Sequence, residues 1–335
     1  MSTTASPRVR LAYRLLQLGV CGALVAALAL SVVLKVQPVR ELFYPWLTIY
    51  VKERGHEHSG HFYLYDSTLG WRNVPNWAAT TRGHPLTINS QGLRDREYTY
   101  AKPAGTGRIL VLGDSFTWGY GVSDADIFTE VLERRLVSHD RAWQVLNTGV
   151  SGWGTDQQFL FFRDEGARYQ PDVVVLACYL LNDPREVGVS DVYGLSKPVF
   201  LDKNLTLGNV PVPLPSRAKT GLKSSVEGFE LMVSLIDAID QECEKRNCRL
   251  LVMKFRTFAD PTVGGLEELD GLFEAKFARL RERVGYLDLD EEFRQRKIET
   301  KYLVAGNEDN HWNDFGHQQV AVILGEFLEQ QGWLK

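Results

Sequence analysis

Through the C-terminal two-thirds of the chain, apolar residues fall in short unbroken runs, with helically spaced segments between them. The runs at 108–112, 144–147, 172–179, 249–255 and 285–289 have little polar alternation. Strands of that composition are buried on both faces, as in a parallel sheet covered by helices. Helical spacing predicts helices near 126–138, 155–168, 225–246, 265–283 and 314–331. Alternating strands and helices imply right-handed crossovers, hence an α/β class, three-layer α/β/α sandwich around a mainly parallel sheet.

Three stretches break this rhythm. Residues 184–224 carry Pro198, Pro211, Pro213 and Pro215 and exceed what a connection needs, so a binding loop, lid or insertion is expected there. Residues 61–105 hold many turn residues, among them Gly70, Pro75, Asn76 and Gly92, and show little clear periodicity. Residues 15–36 are almost wholly apolar, and Arg8, Arg10 and Arg14 precede them with no acidic residue before Glu41. About 20 apolar residues suffice to span a bilayer, and the flanking charge predicts a cytoplasmic N-terminus. The expected organisation is a cytoplasmic segment at 1–14, a single-pass transmembrane signal-anchor at 15–36, a linker and extension at 37–105, and a main extracytoplasmic domain at 106–335. A cleaved signal peptide is the alternative, disfavoured because no small-x-small cleavage site follows Val36. Aromatics at Phe43, Tyr44, Trp46 and Tyr50 suit a membrane interface or the start of a short helix.

Composition narrows the function. The 335 residues carry a net charge of −4 with no large basic stretch, so there is no electrostatic footprint for nucleic acid. No HExxH or CxxC spacing occurs, and neither a metal nor another cofactor is expected. Cys243 and Cys248 are placed either to close a small disulfide loop or to remain two free thiols, while Cys178 lies inside an apolar run. Cys21 follows Val20, too large for a lipid-attachment box, and reads as one more small residue of the apolar segment.

Candidate chemistry begins at Ser115, two residues after Gly113 and just beyond the run at 108–112. This puts its hydroxyl at the carboxyl end of a buried strand, where open α/β sheets carry reactive groups. A serine needs a base and a group to orient that base. Asp309 and His311 near the other end of the chain offer both.

Four blocks in order resemble the SGNH superfamily of GDSL-type serine hydrolases: Gly113-Asp114-Ser115-Phe116, Asn147 to Gly152, Leu181-Asn182-Asp183, and Asp309-Asn310-His311. The resemblance implies a flavodoxin-like sheet, an edge strand or hairpin at 61–105 packed on the main domain, and ester hydrolysis, with Ser115 as nucleophile, His311 as base and Asp309 as orienting carboxylate. It also implies oxyanion donors at the Ser115 and Gly152 backbone N–H groups and the Asn182 side chain. The chain departs from the family at three places. Phe116 replaces a leucine, Leu180 stands where a glycine is usual, and the usual aspartate position three before the histidine is Glu308. Asp309, two before it, is similar to the spacing in polysaccharide O-acetylation relatives, and Glu308 is the alternative acid.

Other features read as bland. Ser151 lies in a G-x-S-G that lacks the final glycine of a nucleophile elbow, and is taken as structural. His317 reads as a helix-face or locally hydrogen-bonded residue, and the acidic run 288–292 as a strand-to-helix junction rather than paired catalytic carboxylates. Trp118, Tyr120 and Trp153 flank the site in sequence and either bind substrate by stacking or pack in the core. The expected function is a membrane-anchored esterase acting on O-acyl, chiefly O-acetyl, esters of polysaccharide or cell-envelope glycan. The alternatives are an O-acyltransferase with the same acyl-enzyme, a lysophospholipase or thioesterase, and a non-catalytic glycan-binding protein. Expected partners are the acylated substrate, the membrane and unidentified polysaccharide-biosynthesis proteins.

Overall fold

The apolar runs pair as one parallel sheet, because strands without a polar face must be covered on both sides. The computed structural model describes residues 17–29, 63–137, 141–213, 225–256, 266–306 and 309–335. The chain divides into two units, residues 1–48 and 49–335. In the first, residues 17–29 form helix α1, its side chains exposed. The remainder of the expected 15–36 span lies outside the described residues. Among the described residues no helix is long and apolar enough to cross a membrane.

The second unit opens with two antiparallel hairpins, β1 (Tyr63–Asp66) with β2 (Gly70–Asn73), and β3 (Trp77–Thr81) with β4 (His84–Ile88). Neither joins the main sheet, so the expected extension is a pair of hairpins and not an edge strand. Next come β5 (Thr106–Leu112), helix α2 (Ser115–Trp118), α3 (Phe128–Leu136), β6 (Ala142–Asn147), α4 (Thr155–Asp164), β7 (Val173–Tyr179) and α5 (Asp183–Glu186). Two short ribbons follow, β8 (Asp191–Val192) with β9 (Leu195–Ser196), and β10 (Val199–Phe200) with β11 (Leu207–Gly208). The chain ends with α6 (Ser225–Arg246), β12 (Arg249–Phe255), α7 (Leu266–Phe277), β13 (Gly285–Asp288), α8 (Leu289–Gln295), β14 (Val304–Gly306), β15 (Asp309–Trp312) and α9 (Asp314–Gln330).

The main sheet has the order β13-β12-β7-β5-β6, every pair parallel. Side chains alternate across it. Leu110, Leu112, Val174, Leu176 and Val252 join the core beneath α4, α6 and α7. Ile109, Val111, Val175, Leu251 and Met253 join the opposite core under α3, α8 and α9. These are the three layers expected. The chain leaves β5 for β6 on one side and returns to β7 on the other, so the carboxyl end of β5 is the topological switch point where α/β sheets open a crevice.

Two helices end earlier than their spacing predicts. The one beginning at 155 stops at Asp164 and tightens into a 3₁₀ turn, Gly166–Tyr169, which buries Tyr169 and presents its carbonyl to Arg108 at 2.7 Å. The one at 266 stops at Phe277, with a further 3₁₀ turn at Leu280–Glu282. The proline-rich stretch is anchored rather than loose over its described part. Lys197 is fully buried and its ammonium donates to Asp156 Oδ1 at 2.8 Å, while Val212 N–H donates to the Ser67 carbonyl at 2.7 Å. Residues 214–224 lie outside the described residues. Cys178, Cys243 and Cys248 are buried free thiols; of the two readings for 243 and 248, the dithiol is the one present, across a turn closed by Cys248 N–H donating to Cys243 C=O at 3.0 Å.

Candidate active site

Ser115 sits directly beyond β5, the first residue of the four-residue helix α2. The local sequence dictates this tight turn. The Asp114 carboxylate caps the helix by accepting Phe116 N–H at 2.9 Å. Gly119, at φ 88°, ends it in the left-handed region that favours glycine. The turn also packs against the loop after β6. A Cβ on Gly149 would lie 2.4 Å from the Trp118 nitrogen, so only glycine permits that approach.

From the other end of the chain, β15 brings Asp309 and His311 to the same place. Residues two apart on a strand share a face, which is why a single intervening residue suffices to pair them. The strand is tied down at its far end, where Trp312 is buried and Asn313 caps α9 by accepting Gly316 N–H at 2.9 Å. His311 Nε2 lies 2.7 Å from Ser115 Oγ, and His311 Nδ1 lies 2.6 Å from Asp309 Oδ1. The same carboxylate oxygen accepts the His311 backbone N–H at 2.9 Å.

These contacts fix the tautomer. Burial works to raise the Asp309 carboxyl, but the hydrogen bond and charge of His311, its backbone N–H and Arg82 hold it down at about 2. An ionised carboxylate only accepts, so Nδ1 carries the hydrogen and the Nε2 lone pair faces the serine hydroxyl. The imidazole is held between Phe116 and Tyr120, with ring centroids 4.8 and 4.6 Å away. Phe116 also touches Tyr179, Phe255 and Trp312, so the aromatic in the leucine position makes a rigid floor under the histidine.

Gly152 lies in the loop after β6 at φ 78°. The Trp71 indole donates to the Ser151 carbonyl at 3.1 Å, and because a trans peptide sets C=O and N–H opposite, the Gly152 N–H points away from Trp71. Asn182 follows β7 and caps α5; its carbonyl accepts Arg185 and Glu186 N–H at 2.9 and 3.1 Å, and its side chain helps to lower the Asp114 carboxyl. Asp114 itself is pushed up to about 6 by burial, against the opposing pull of Phe116 N–H, His311 and Asn182. Asp183 is raised by burial and by Asp114, and burial lifts Glu186 to about 7 despite Lys197. Glu308 lies outside the described residues.

The three flanking aromatics do not offer free faces. Trp118, Tyr120 and Trp153 are all buried: Trp118 lies under the Arg94 guanidinium at 4.7 Å, Tyr120 against the His311 ring, and Trp153 donates to the Trp71 carbonyl at 2.9 Å. An aromatic that sequence reasoning passed over is exposed instead. Tyr193 is 62 % exposed, its ring 3.2 Å from where a Cβ on Gly152 would stand, and its hydroxyl donates to Glu186 Oε1 at 2.9 Å. Also missed was Arg82, at the tip of the β3–β4 hairpin, which is ion-paired to Asp309. Arg82-Gly83 between two alternating runs signals a hairpin, but nothing local names the partner. His317 is buried and neutral, its pKa driven down to about 3 by burial; its Nδ1 accepts Phe128 N–H at 3.2 Å. Among the described residues, no group of three or more His, Cys, Asp or Glu side chains is arranged to hold a metal ion.

The profile of the GDSL-like lipase/acylhydrolase family matches residues 111–319, a span that holds Ser115, Gly152, Asn182, Asp309 and His311. No curated protein matches the chain. Among solved structures, it is similar to an α/β hydrolase enzyme from the metagenome of Lake Arreo, Spain, at 17 % identity, covering 70 % of this chain and 99 % of that one with a TM-score of 0.46. A lipase/acylhydrolase from Enterococcus faecalis is 15 % identical, covering 67 % and 96 % with a TM-score of 0.44.

Proposed function

Given that the chain belongs to the GDSL-like lipase/acylhydrolase family of ester-bond hydrolases, we propose that it is a serine esterase that removes O-acyl, chiefly O-acetyl, groups from an extracytoplasmic glycan. The observation that carries the reading is the run of contacts from Asp309 through His311 to Ser115, at 2.6 and 2.7 Å. In that arrangement Ser115 Oγ attacks the acyl carbonyl carbon while its proton passes to His311 Nε2. The tetrahedral oxyanion is met by the Ser115 and Gly152 backbone N–H groups and the Asn182 amide, each donor contributing about 3 kcal/mol to the transition state. The intermediate collapses, the ester C–O bond breaks, and the leaving alcohol takes the proton from His311. Water then attacks the acyl-enzyme by the reverse sequence and releases the carboxylic acid. Asp309 holds the imidazole and stabilises its charged form throughout.

Two further features support the glycan. Tyr193 presents an exposed ring beside Gly152, and flat aromatic faces suit sugar rings. The apolar segment at 15–36, preceded by arginines, supports anchoring with the remainder outside the cytoplasm. The test is turnover of p-nitrophenyl acetate and of acetylated glycans by the wild type and Ser115→Ala. The wild type is expected to release acetate and the variant to lose activity while folding normally. Turnover retained by Ser115→Ala would refute the nucleophile, and acetate passed to an added acceptor sugar instead of water would make the protein an acyltransferase.

A further inference from the structure

We infer that Arg82 is a positioning residue for the hydrolytic site, acting through Asp309; this rests on the reading of Ser115, His311 and Asp309 above. The residue comes from outside the sheet. Thr81 pairs with His84 across the hairpin, leaving Arg82-Gly83 as a two-residue loop with φ values of 49° and 85°. Such loops need left-handed backbone at both central positions and favour asparagine, aspartate or glycine at the first. An arginine there costs about 1–2 kcal/mol of backbone strain. A turn selected only for folding has no use for it.

The guanidinium accounts for the choice. It forms an ion pair with Asp309 Oδ2, while Asp309 Oδ1 accepts from His311 Nδ1. It also lies over the Tyr120 ring, 5.4 Å from the centroid, and Tyr120 is one of the two rings that sandwich His311. Arg82 therefore occupies the far oxygen of the carboxylate and packs against a wall of the imidazole slot. With Arg82 on one oxygen and His311 on the other, the two contacts together limit how the Asp309 carboxylate can turn, and the histidine inherits that orientation.

The hairpin is held without Arg82, so the residue is separable from folding. Leu86 and Ile88 pack with Trp118 and Tyr120 in a small core of their own. Thr81 Oγ1 accepts Gly121 N–H at 3.2 Å, and Asp124 accepts from both the backbone and hydroxyl of Thr87 at 2.9 Å. Asp124 also pairs with Arg94, whose guanidinium donates to the Gly119 carbonyl at 2.6 Å, at the end of α2. The hairpin tip is thus fixed to the nucleophile turn at one end and to the acid at the other.

The experiment compares kcat and KM for p-nitrophenyl acetate in the full chain for wild type, Arg82→Ala, Arg82→Lys, Asp309→Asn and the double variant Arg82→Ala/Asp309→Asn. Arg82→Ala is expected to lower kcat about ten- to a hundredfold with KM within about twofold and the melting temperature within about 2 °C. Arg82→Lys keeps a charge but not the fork, and recovers part of the loss. Added guanidinium ion restores part of the Arg82→Ala rate, and sodium chloride at equal concentration does not. Because the effect runs through Asp309, Arg82→Ala adds nothing further in the Asp309→Asn background. Wild-type kcat in Arg82→Ala, or full additivity in the double variant, would overturn the inference. If Arg82→Ala melts early, Arg82→Met, which keeps the aliphatic stem, carries the same comparison. Ser115→Ala separates the two claims: an inactive Ser115→Ala beside an unaffected Arg82→Ala removes only Arg82, whereas an active Ser115→Ala removes the hydrolytic reading itself.

Discussion

Replacing Asp309 by asparagine keeps the shape of the side chain and removes its charge. In the native protein that carboxylate titrates at about 2 instead of 3.8, equivalent to about 2 kcal/mol of favourable interaction with its surroundings, the charged form of His311 included. The rate depends on the part of this interaction made with protonated His311. Two charges with centres about 4 Å apart attract by about 4 kcal/mol at an effective dielectric of about 20, or roughly three powers of ten in rate. An asparagine amide also favours the wrong tautomer by donating toward Nδ1, and in the general triad this exchange costs about 10⁴. Asp309→Asn is therefore expected to lower kcat on p-nitrophenyl acetate by about 10³–10⁴. The stability effect has a definite sign. A depressed carboxylate contributes stability above its unfolded pKa and loses it as pH falls through about 2, so the variant is less stable than wild type near neutrality and the gap closes in strong acid. A variant retaining more than about a tenth of wild-type kcat refutes the reasoning, and a larger loss in Glu308→Gln would move the acid to that residue.

Gly149→Ala sets a methyl 2.4 Å from the Trp118 nitrogen and 2.8 Å from the Thr117 carbonyl carbon, both unyielding backbone. It should destabilise the fold by about 1–3 kcal/mol and lower kcat by displacing α2, measured by melting and steady-state kinetics. Glu186, raised to about 7, keeps a proton in the native state that the unfolded chain releases above about 4.5, so it erodes stability as pH rises through that window. Glu186→Gln cannot ionise, and denaturant unfolding should show it gaining about 1–3 kcal/mol on wild type between about pH 5 and about pH 8. An equal difference at both pH values would refute the assignment. Tyr193→Ala should lose about two- to tenfold more kcat/KM on an acetylated glycan than on p-nitrophenyl acetate, and equal losses would count against the stacking role.

Local pattern was enough for the five sheet strands, because strands buried on both faces read as apolar runs whatever surrounds them. It was also enough for the serine turn, whose glycine, capping aspartate and small residues are requirements of backbone geometry within six positions. The Asp309–His311 pairing is local too, since residues two apart on a strand share a face. Tertiary structure decided the rest. That Ser115 and His311 lie 2.7 Å apart depends on β15 folding back over the carboxyl end of β5 across 196 positions. The fate of the aromatics followed the same rule: Trp118, Tyr120 and Trp153 are buried because the N-terminal hairpins and the buried Trp71 cover them, while Tyr193 is exposed at a ribbon tip. Arg82 is the sharpest case. Its turn is written in two adjacent residues, but its partner is an acid 227 positions away, and a charge finds its partner through space rather than along the chain.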